Sequence, residues 1–329
     1  MKRILAVITL IFTIGLLAGC QNQEKASQSE NQKVQVMATF YPMYAFSKAV
    51  VGETGEVKLL IPAGTEPHDY EPSARDIAKL NEAGLVVYNS SHFETWMADV
   101  KQNIDAKHTQ LVEASTGIQL LSGEEEHEHQ DEEADEHDHD HGDVNPHVWL
   151  DPVLAQKEVS NIQKALSKRY PKYQATFEKN AQDYIKKLQA LDQQYREAAQ
   201  KATNKTFVVQ HDAFVYLAKR YGLEQVAVTG LSPDEEPTPS RLAELKKYIQ
   251  KEQIHTIYFE ENASAKVAKT LAKETGVRLL VLNPLESLTK DQLADGEDYL
   301  SVMQENLQAL QKTLNEKSVK RCTILKSKI

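Results

Sequence analysis

Cysteine is almost missing from this chain. Cys20 and Cys322 are the two present in 329 residues, and with Cys20 committed as argued below no intramolecular disulfide is available. No HExxH helix and no GxxxxGK[ST] loop occur, so the motifs of a zinc protease and of a nucleotide-driven motor are absent. There is no basic patch interleaved with aromatics, which excludes nucleic acid as a partner. Past residue 20 no apolar run is long enough to span a bilayer. What is present is a hydrophobic content of 41%, enough for a globular core, in a chain long enough to expect two domains.

The net charge of −10 is concentrated in one place. The run from Glu124 to Asp143 reads EEEHEHQDEEADEHDHDHGD and holds 12 of the 48 acids, leaving 36 acids against 38 bases elsewhere. It contains no Lys or Arg, and interleaves His127, His129, His137, His139 and His141 with the carboxylates. Imidazoles among carboxylates form a ligand set for a divalent transition metal. A block of like charge is expected to be disordered. Its functional reading is an auxiliary loop that collects zinc and passes it on; the plain alternative is solubility alone.

Residues 1–20 read MKRILAVITLIFTIGLLAGC. Lys2 and Arg3 precede an apolar stretch too short for a transmembrane span. Leu17-Ala18-Gly19-Cys20 resembles the bacterial lipobox, which implies cleavage before Cys20 and lipidation of its thiol. The expected organisation is therefore a signal peptide at 1–19, then a lipidated Cys and polar tether at 20–33. The protein should sit on the extracellular face of the membrane, most naturally in a Gram-positive bacterium. Cys322 lies in a basic tail, 317–329, whose role the residues do not specify.

From Val34 onward β-rich runs alternate with helical patterns. Strands are expected at Val34–Ala38, Glu56–Ile61 and Leu85–Asn89, with helices at Met43–Val51, Ser73–Ala83 and from about Glu94. The rhythm repeats with strands Thr206–Gln210, Gln225–Val228, His255–Phe259 and Arg278–Leu282. The helices between them are Ala213–Tyr221, Ser240–Gln253 with Ser240 as N-cap, Ser264–Thr275 and Tyr299–Leu314. Alternation of this kind predicts an α/β fold with parallel sheets. An N-terminal lobe at 34–152, carrying the acidic insert at 122–144, and a C-terminal lobe at 204–316 should flank a helical connector at 153–203. That connector comprises Val153–Arg169 and a second, uninterrupted helix from Pro171 to about Ala202.

Ligands of open α/β sheets bind beyond the carboxyl ends of the strands. His68 follows the second strand, His211 ends the strand at 206–210, and His147 precedes the connector. Glu260, Glu261 and Glu286 also fall after strands. A lone strand-end histidine is more often a hydrogen-bonded structural residue than a ligand. Three at expected positions in two lobes reverse that weighting. His92, His108 and His255 have no comparable neighbours.

Five segments carry a resemblance: PAGTEPHDYEPSARDIAKL, NPHVWLDP, GLSPDEEPTPSRLAEL, FEENAS and VLNPLES. Over about 35–315 the chain resembles the metal-binding solute-receptor lipoproteins of bacterial uptake transporters, in their streptococcal zinc-specific branch. The resemblance implies two similar α/β lobes with parallel sheets, joined by a long rigid helix, and one metal buried in the cleft between them. It maps the ligands onto His68, His147, His211 and Glu286, although Glu260, Glu261 or a water remain open for the fourth place. It also implies an ABC permease with a cytoplasmic ATPase as partners, a monomeric receptor and only a small closure on binding. Some streptococcal members carry a further C-terminal zinc-binding domain, which is not expected within these 329 residues.

Three imidazoles and a carboxylate suit four-coordinate Zn²⁺. A manganese receptor of this type would place a carboxylate at position 211. Manganese or iron uptake is thus the runner-up substrate. A zinc hydrolase would need an open coordination position for water, which Glu286 would fill. Adhesion to host matrix is a third reading, without a residue that specifies it.

Overall fold

The computed structural model describes residues 33–122 and 144–316. The lipobox with Cys20, the auxiliary histidines His127, His129, His137, His139 and His141, and the basic tail with Cys322 lie outside the described residues. Two four-stranded, wholly parallel sheets form the frame. The first contains β1 (Val34–Ala38), β2 (Gly55–Leu59), β3 (Leu85–Tyr88) and β4 (Gln110–Glu113) in the order β2-β1-β3-β4. A short antiparallel pair follows, β5 (Leu121–Ser122) with β6 (Val144–Asn145). The second large sheet contains β7 (Thr206–Val209), β8 (Glu224–Ala227), β9 (Thr256–Phe259) and β10 (Arg278–Val281) in the order β10-β9-β7-β8. Read from the opposite edge, this is the same second-first-third-fourth topology as the first sheet. In both sheets the first strand lies between the second and the third, so the crossovers leave it in opposite directions and create a crevice at its carboxyl end.

The helices follow the sequence pattern with instructive offsets. α1 (Tyr41–Val51), α2 (Ala74–Glu82) and α3 (Met97–Asn103) belong to the first sheet. Ser73 and Asp76 close a reciprocal capping box at the start of α2. The helix expected from Glu94 begins only at Met97, because the Glu94 carboxylate is occupied in a turn, accepting the Asn89 and Ser90 N–H groups at 3.0 and 3.1 Å. The strand at 110–113 and the pair at 121–122 and 144–145 were not expected; four- and two-residue elements carry too little periodicity to read.

The connector is a helical hairpin. α4 (Pro152–Arg169) ends at Tyr170, a 3₁₀ turn covers Pro171–Tyr173, and α5 (Gln174–Lys201) runs on for 28 residues. The expected start at Pro171 is therefore corrected to Gln174, since the proline initiates the 3₁₀ turn. At 1.5 Å per residue α5 spans roughly 42 Å. Phe177, Ala181, Leu188, Leu191, Tyr195 and Ala198 form its buried stripe, at spacings of three, four and seven residues that keep them on one face. One end of α5 is tied to the first lobe, Asn180 Nδ2 donating to the Val50 carbonyl at 3.0 Å. Its other end is tied to the second, Tyr195 Oη donating to the Met303 carbonyl at 2.7 Å. A continuous helix is thus bonded to both lobes.

In the second lobe α6 (Val215–Tyr221) and α8 (Lys266–Thr275) end at the left-handed glycines Gly222 and Gly276, as the sequence suggested. α7 (Pro239–Lys251) is capped by the Thr238 hydroxyl rather than by Ser240; proline at the first helical position needs no partner for a missing N–H, and this moves the cap outward. α9 (Lys290–Ala294) was not foreseen, and α10 (Tyr299–Leu314) closes the fold.

Candidate metal centre

Four loops at strand ends converge between the lobes. β2 feeds the loop carrying His68, β6 leads straight into Asn145-Pro146-His147, β7 ends one residue before Gln210-His211, and β10 feeds Asn283-Pro284-Leu285-Glu286. His68, His147, His211 and Glu286 each offer one ligand atom, and all four atoms lie within 4.8 Å of one another. Glu286 Oε1 lies 3.2 Å from His68 Nε2 and 3.1 Å from the Nε2 atoms of both His147 and His211. His147 Nε2 lies 3.4 Å from His68 Nε2 and 3.3 Å from His211 Nε2. His147 and His211 are fully buried, and the His68 side chain retains only 12% of its exposure.

The floor beneath these rings is aromatic. Phe40, Phe93 and Trp149 pack edge-on or tilted with centroids 4.6–5.0 Å apart, His68 stands on Phe93 at 4.8 Å, and His147 on Trp149 at 5.1 Å. Trp149 also joins the lobes: its indole N–H donates to the Pro284 carbonyl at 2.8 Å, and its own carbonyl accepts from Tyr299 Oη at 2.5 Å. The Glu286 loop is held hard. Asn283 and Asn306 exchange two hydrogen bonds, and the Leu285 N–H donates to Asn283 Oδ1 at 2.7 Å. Leu285 adopts a left-handed φ of 60° while fully buried. Such a backbone conformation costs a non-glycine residue about 1–3 kcal/mol and persists only where the surroundings fix it. Here it turns the Glu286 carboxylate inward.

The far sides of two imidazoles are also assigned. His211 Nδ1 lies 2.5 Å from Glu260 Oε1, and His147 Nδ1 lies 2.9 Å from Asn145 Oδ1. Glu260 is therefore a partner of a histidine and not the fourth member of the cluster. Glu261 turns outward to Gln292 at 3.4 Å. His92, His108 and His255 do not join the group. Asn145 and Glu66 were missed by sequence reasoning; an asparagine two residues before a candidate ligand was the available signal.

Charges here are strongly interdependent. Burial drives the His147 pKa down, to about 3, against Glu286 and with the help of His211 and His68. Burial opposes protonation of His211 as well, but Glu260 and Glu286 outweigh it and hold its pKa well above the ordinary imidazole value. At His68 the same burial is overcome by Glu286 and Glu66. Burial would raise Glu286, yet His211 and His68 pull it well below the carboxylate range. Glu66, which accepts the His68 backbone N–H at 2.8 Å, is pushed up to about 7 by burial and by Glu286. The directions of these shifts favour protons on His211 and His68 beside the ionised Glu286 carboxylate. A divalent cation at the same point would take their place.

Comparison with known proteins identifies the family. A family model described as "Zinc-uptake complex component A periplasmic" matches residues 36–313. The chain is similar to the zinc-binding lipoprotein AdcA of Streptococcus pneumoniae, 48% identical over 316 residues, which are 96% of this chain and 62% of that protein. It thus spans about three-fifths of that relative's length. It is also similar to the high-affinity zinc uptake system protein ZnuA of Bacillus subtilis, 48% identical over 95% of this chain and 98% of that one. Among solved structures, the Zn(II)-bound ZnuA-like domain of Streptococcus pneumoniae AdcA superposes with a TM-score of 0.74 at 48% identity, covering 87% of this chain and 100% of that one. Matched over most of its length in sequence and in fold, this chain belongs to the zinc-uptake complex component A family.

Proposed function

We propose that this chain is a receptor, not an enzyme, that captures Zn²⁺ outside the cell and delivers it to an ABC-type permease driven by a cytoplasmic ATPase. His68, His147, His211 and Glu286 are the ligands in this reading. One observation carries it: three buried imidazole nitrogens surround one carboxylate oxygen with separations of 3.1–3.4 Å. A tetrahedral zinc with bonds of about 2.0–2.1 Å requires ligand–ligand edges of roughly 3.3–3.4 Å. Five of the six edges of the cluster lie at 3.1–3.4 Å, and all four ligand atoms lie within 4.8 Å of one another. Four protein ligands close that shell and exclude the open position a catalytic zinc needs. An imidazole at position 211 disfavours the harder manganese ion, while Cu²⁺ would bind more tightly than zinc, so supply decides occupancy.

The membrane anchor at Cys20 and the collecting role of the insert at 124–143 belong to the same proposal and rest on composition. Among the described residues no helix is long and apolar enough to cross a membrane. Competition titration against a chromophoric chelator tests the reading, with zinc and manganese on the wild type and His211→Ala. One tight zinc, lost in the variant, with weak manganese supports it. Preferential manganese retention, or tight zinc surviving His211→Ala, contradicts it.

A further inference from the structure

Asn145 occupies a junction that the ligand set does not explain. It is buried, sits two residues before His147 and forms the last residue of β6. Its Oδ1 accepts the His147 backbone N–H at 3.1 Å and faces the His147 ring Nδ1 at 2.9 Å. Its Nδ2 lies 2.6 Å from the Asp212 carbonyl and 3.2 Å from Asp212 Oδ2. Two acceptors on one side and a backbone donor on the other leave a single orientation for the amide. The oxygen must face the ring, so Nδ1 of His147 must carry the hydrogen. The Nε2 lone pair is then turned towards Glu286 and the centre.

The same residue connects distant parts of the chain. Asp212 follows His211 directly, and its Oδ1 accepts from Gln225 Nε2, which anchors it to β8. The Asn145 carbonyl accepts from Tyr216 Oη at 2.7 Å, and that oxygen accepts the Leu121 N–H at 2.8 Å. Leu121 is the register partner of Asn145 across the β5–β6 pair. One side chain thereby touches a site histidine, the neighbour of a second one, and the two-stranded stem from which residues 123–143 depart.

We propose that Asn145 is a positioning residue that selects the metal-ready tautomer of His147 and latches the β5–β6 stem to the second lobe through Asp212. This deepens the ligand assignment above and rests on it. Partners of this kind in metal sites carry about 10–100-fold in affinity. Without the Asn145 oxygen, Glu286 Oε1, 3.1 Å from Nε2, favours the Nε2–H form, which presents a proton where the metal must bind.

The test is the histidine tautomer in metal-free chain labelled with ¹⁵N-histidine, read from long-range ¹H–¹⁵N correlations, with His147 assigned by its disappearance in His147→Gln. In the wild type, a protonated Nδ1 and a bare Nε2 are expected, a result that needs no variant at position 145 to fold. Asn145→Ala should populate the other tautomer and weaken zinc about 10–100-fold. Asn145→Asp keeps an acceptor for Nδ1 and should restore the tautomer and part of the affinity, although it cannot donate to Asp212. A protonated Nε2 in the wild type, or an alanine variant with unchanged tautomer and unchanged affinity, overturns the inference. Zinc addition to the wild type separately reports on the assignment beneath it: a His147 Nε2 resonance that does not move removes His147 from the ligand set and the inference with it.

Discussion

Trp149→Phe tests the coupling between the lobes and the site. The substitution removes the indole N–H that donates to the Pro284 carbonyl at 2.8 Å, in a residue with no exposed surface. A buried carbonyl left without its donor costs about 1–3 kcal/mol. The smaller ring leaves a void beneath His147 and against Phe40 and Phe93, which adds about 1–2 kcal/mol. Denaturant unfolding of the metal-free protein should therefore show a loss of roughly 2–5 kcal/mol. The zinc site should suffer as well. Pro284 precedes the strained Leu285, and release of its carbonyl removes one of the bonds that hold Leu285 left-handed and Glu286 inward. A loss of at least about 10-fold in zinc affinity is expected, of the size seen when outer partners of a metal site are removed. Wild-type stability together with wild-type affinity would refute the claim that Trp149 positions the Glu286 loop.

Other expectations follow from the buried charges and from the insert. Glu158 is wholly buried and neither of its carboxylate oxygens finds a hydrogen-bond partner among the described residues; burial, then the nearby Glu94, holds its pKa well above the usual value. The folded state therefore binds a proton that the unfolded state releases above about pH 4.3, so this residue's penalty grows as pH rises past that point. Glu158→Met should raise the unfolding midpoint at neutral pH, and the gain should shrink on acidification; a pH-independent difference would count against the assignment. Because His211 and His68 are held protonated above their ordinary range, zinc binding near neutral pH should release protons and its affinity should climb with pH. Calorimetry in buffers of different ionisation enthalpy measures that release, and a buffer-independent heat would contradict it. Deletion of 124–143 should slow zinc acquisition under scarcity, as a tethered collector would, while the buried site keeps its affinity.

Much of this architecture was legible in the residues. β1 and α10 fall on their expected bounds, because alternation and apolar spacing are strong there and the flanking caps are clear. His68 and His211 were reachable through the strand-end rule, since a parallel sheet directs its loops to one side, and His147 through its place just before the connector. Glu286 needed the resemblance: Glu260, Glu261 and Glu286 all follow strands, and only the left-handed Leu285 and the bond from Trp149 show which one turns inward. Glu260 looked like a rival ligand because sequence cannot distinguish a carboxylate facing Nδ1 from one facing the centre. Asn145 was hidden for a similar reason, as its role depends on Asp212, which lies 67 positions away.

Metal content of the soluble form, residues 21–329, tests the central claim most directly. The protein and a variant lacking 124–143 are purified without added metal, titrated with zinc and manganese, and weighed by native mass spectrometry. One tightly held zinc in both forms, with additional weakly held zinc only when the insert is present, is the predicted result. Preferential retention of manganese, or no tight site once the insert is removed, would contradict the assignment of His68, His147, His211 and Glu286.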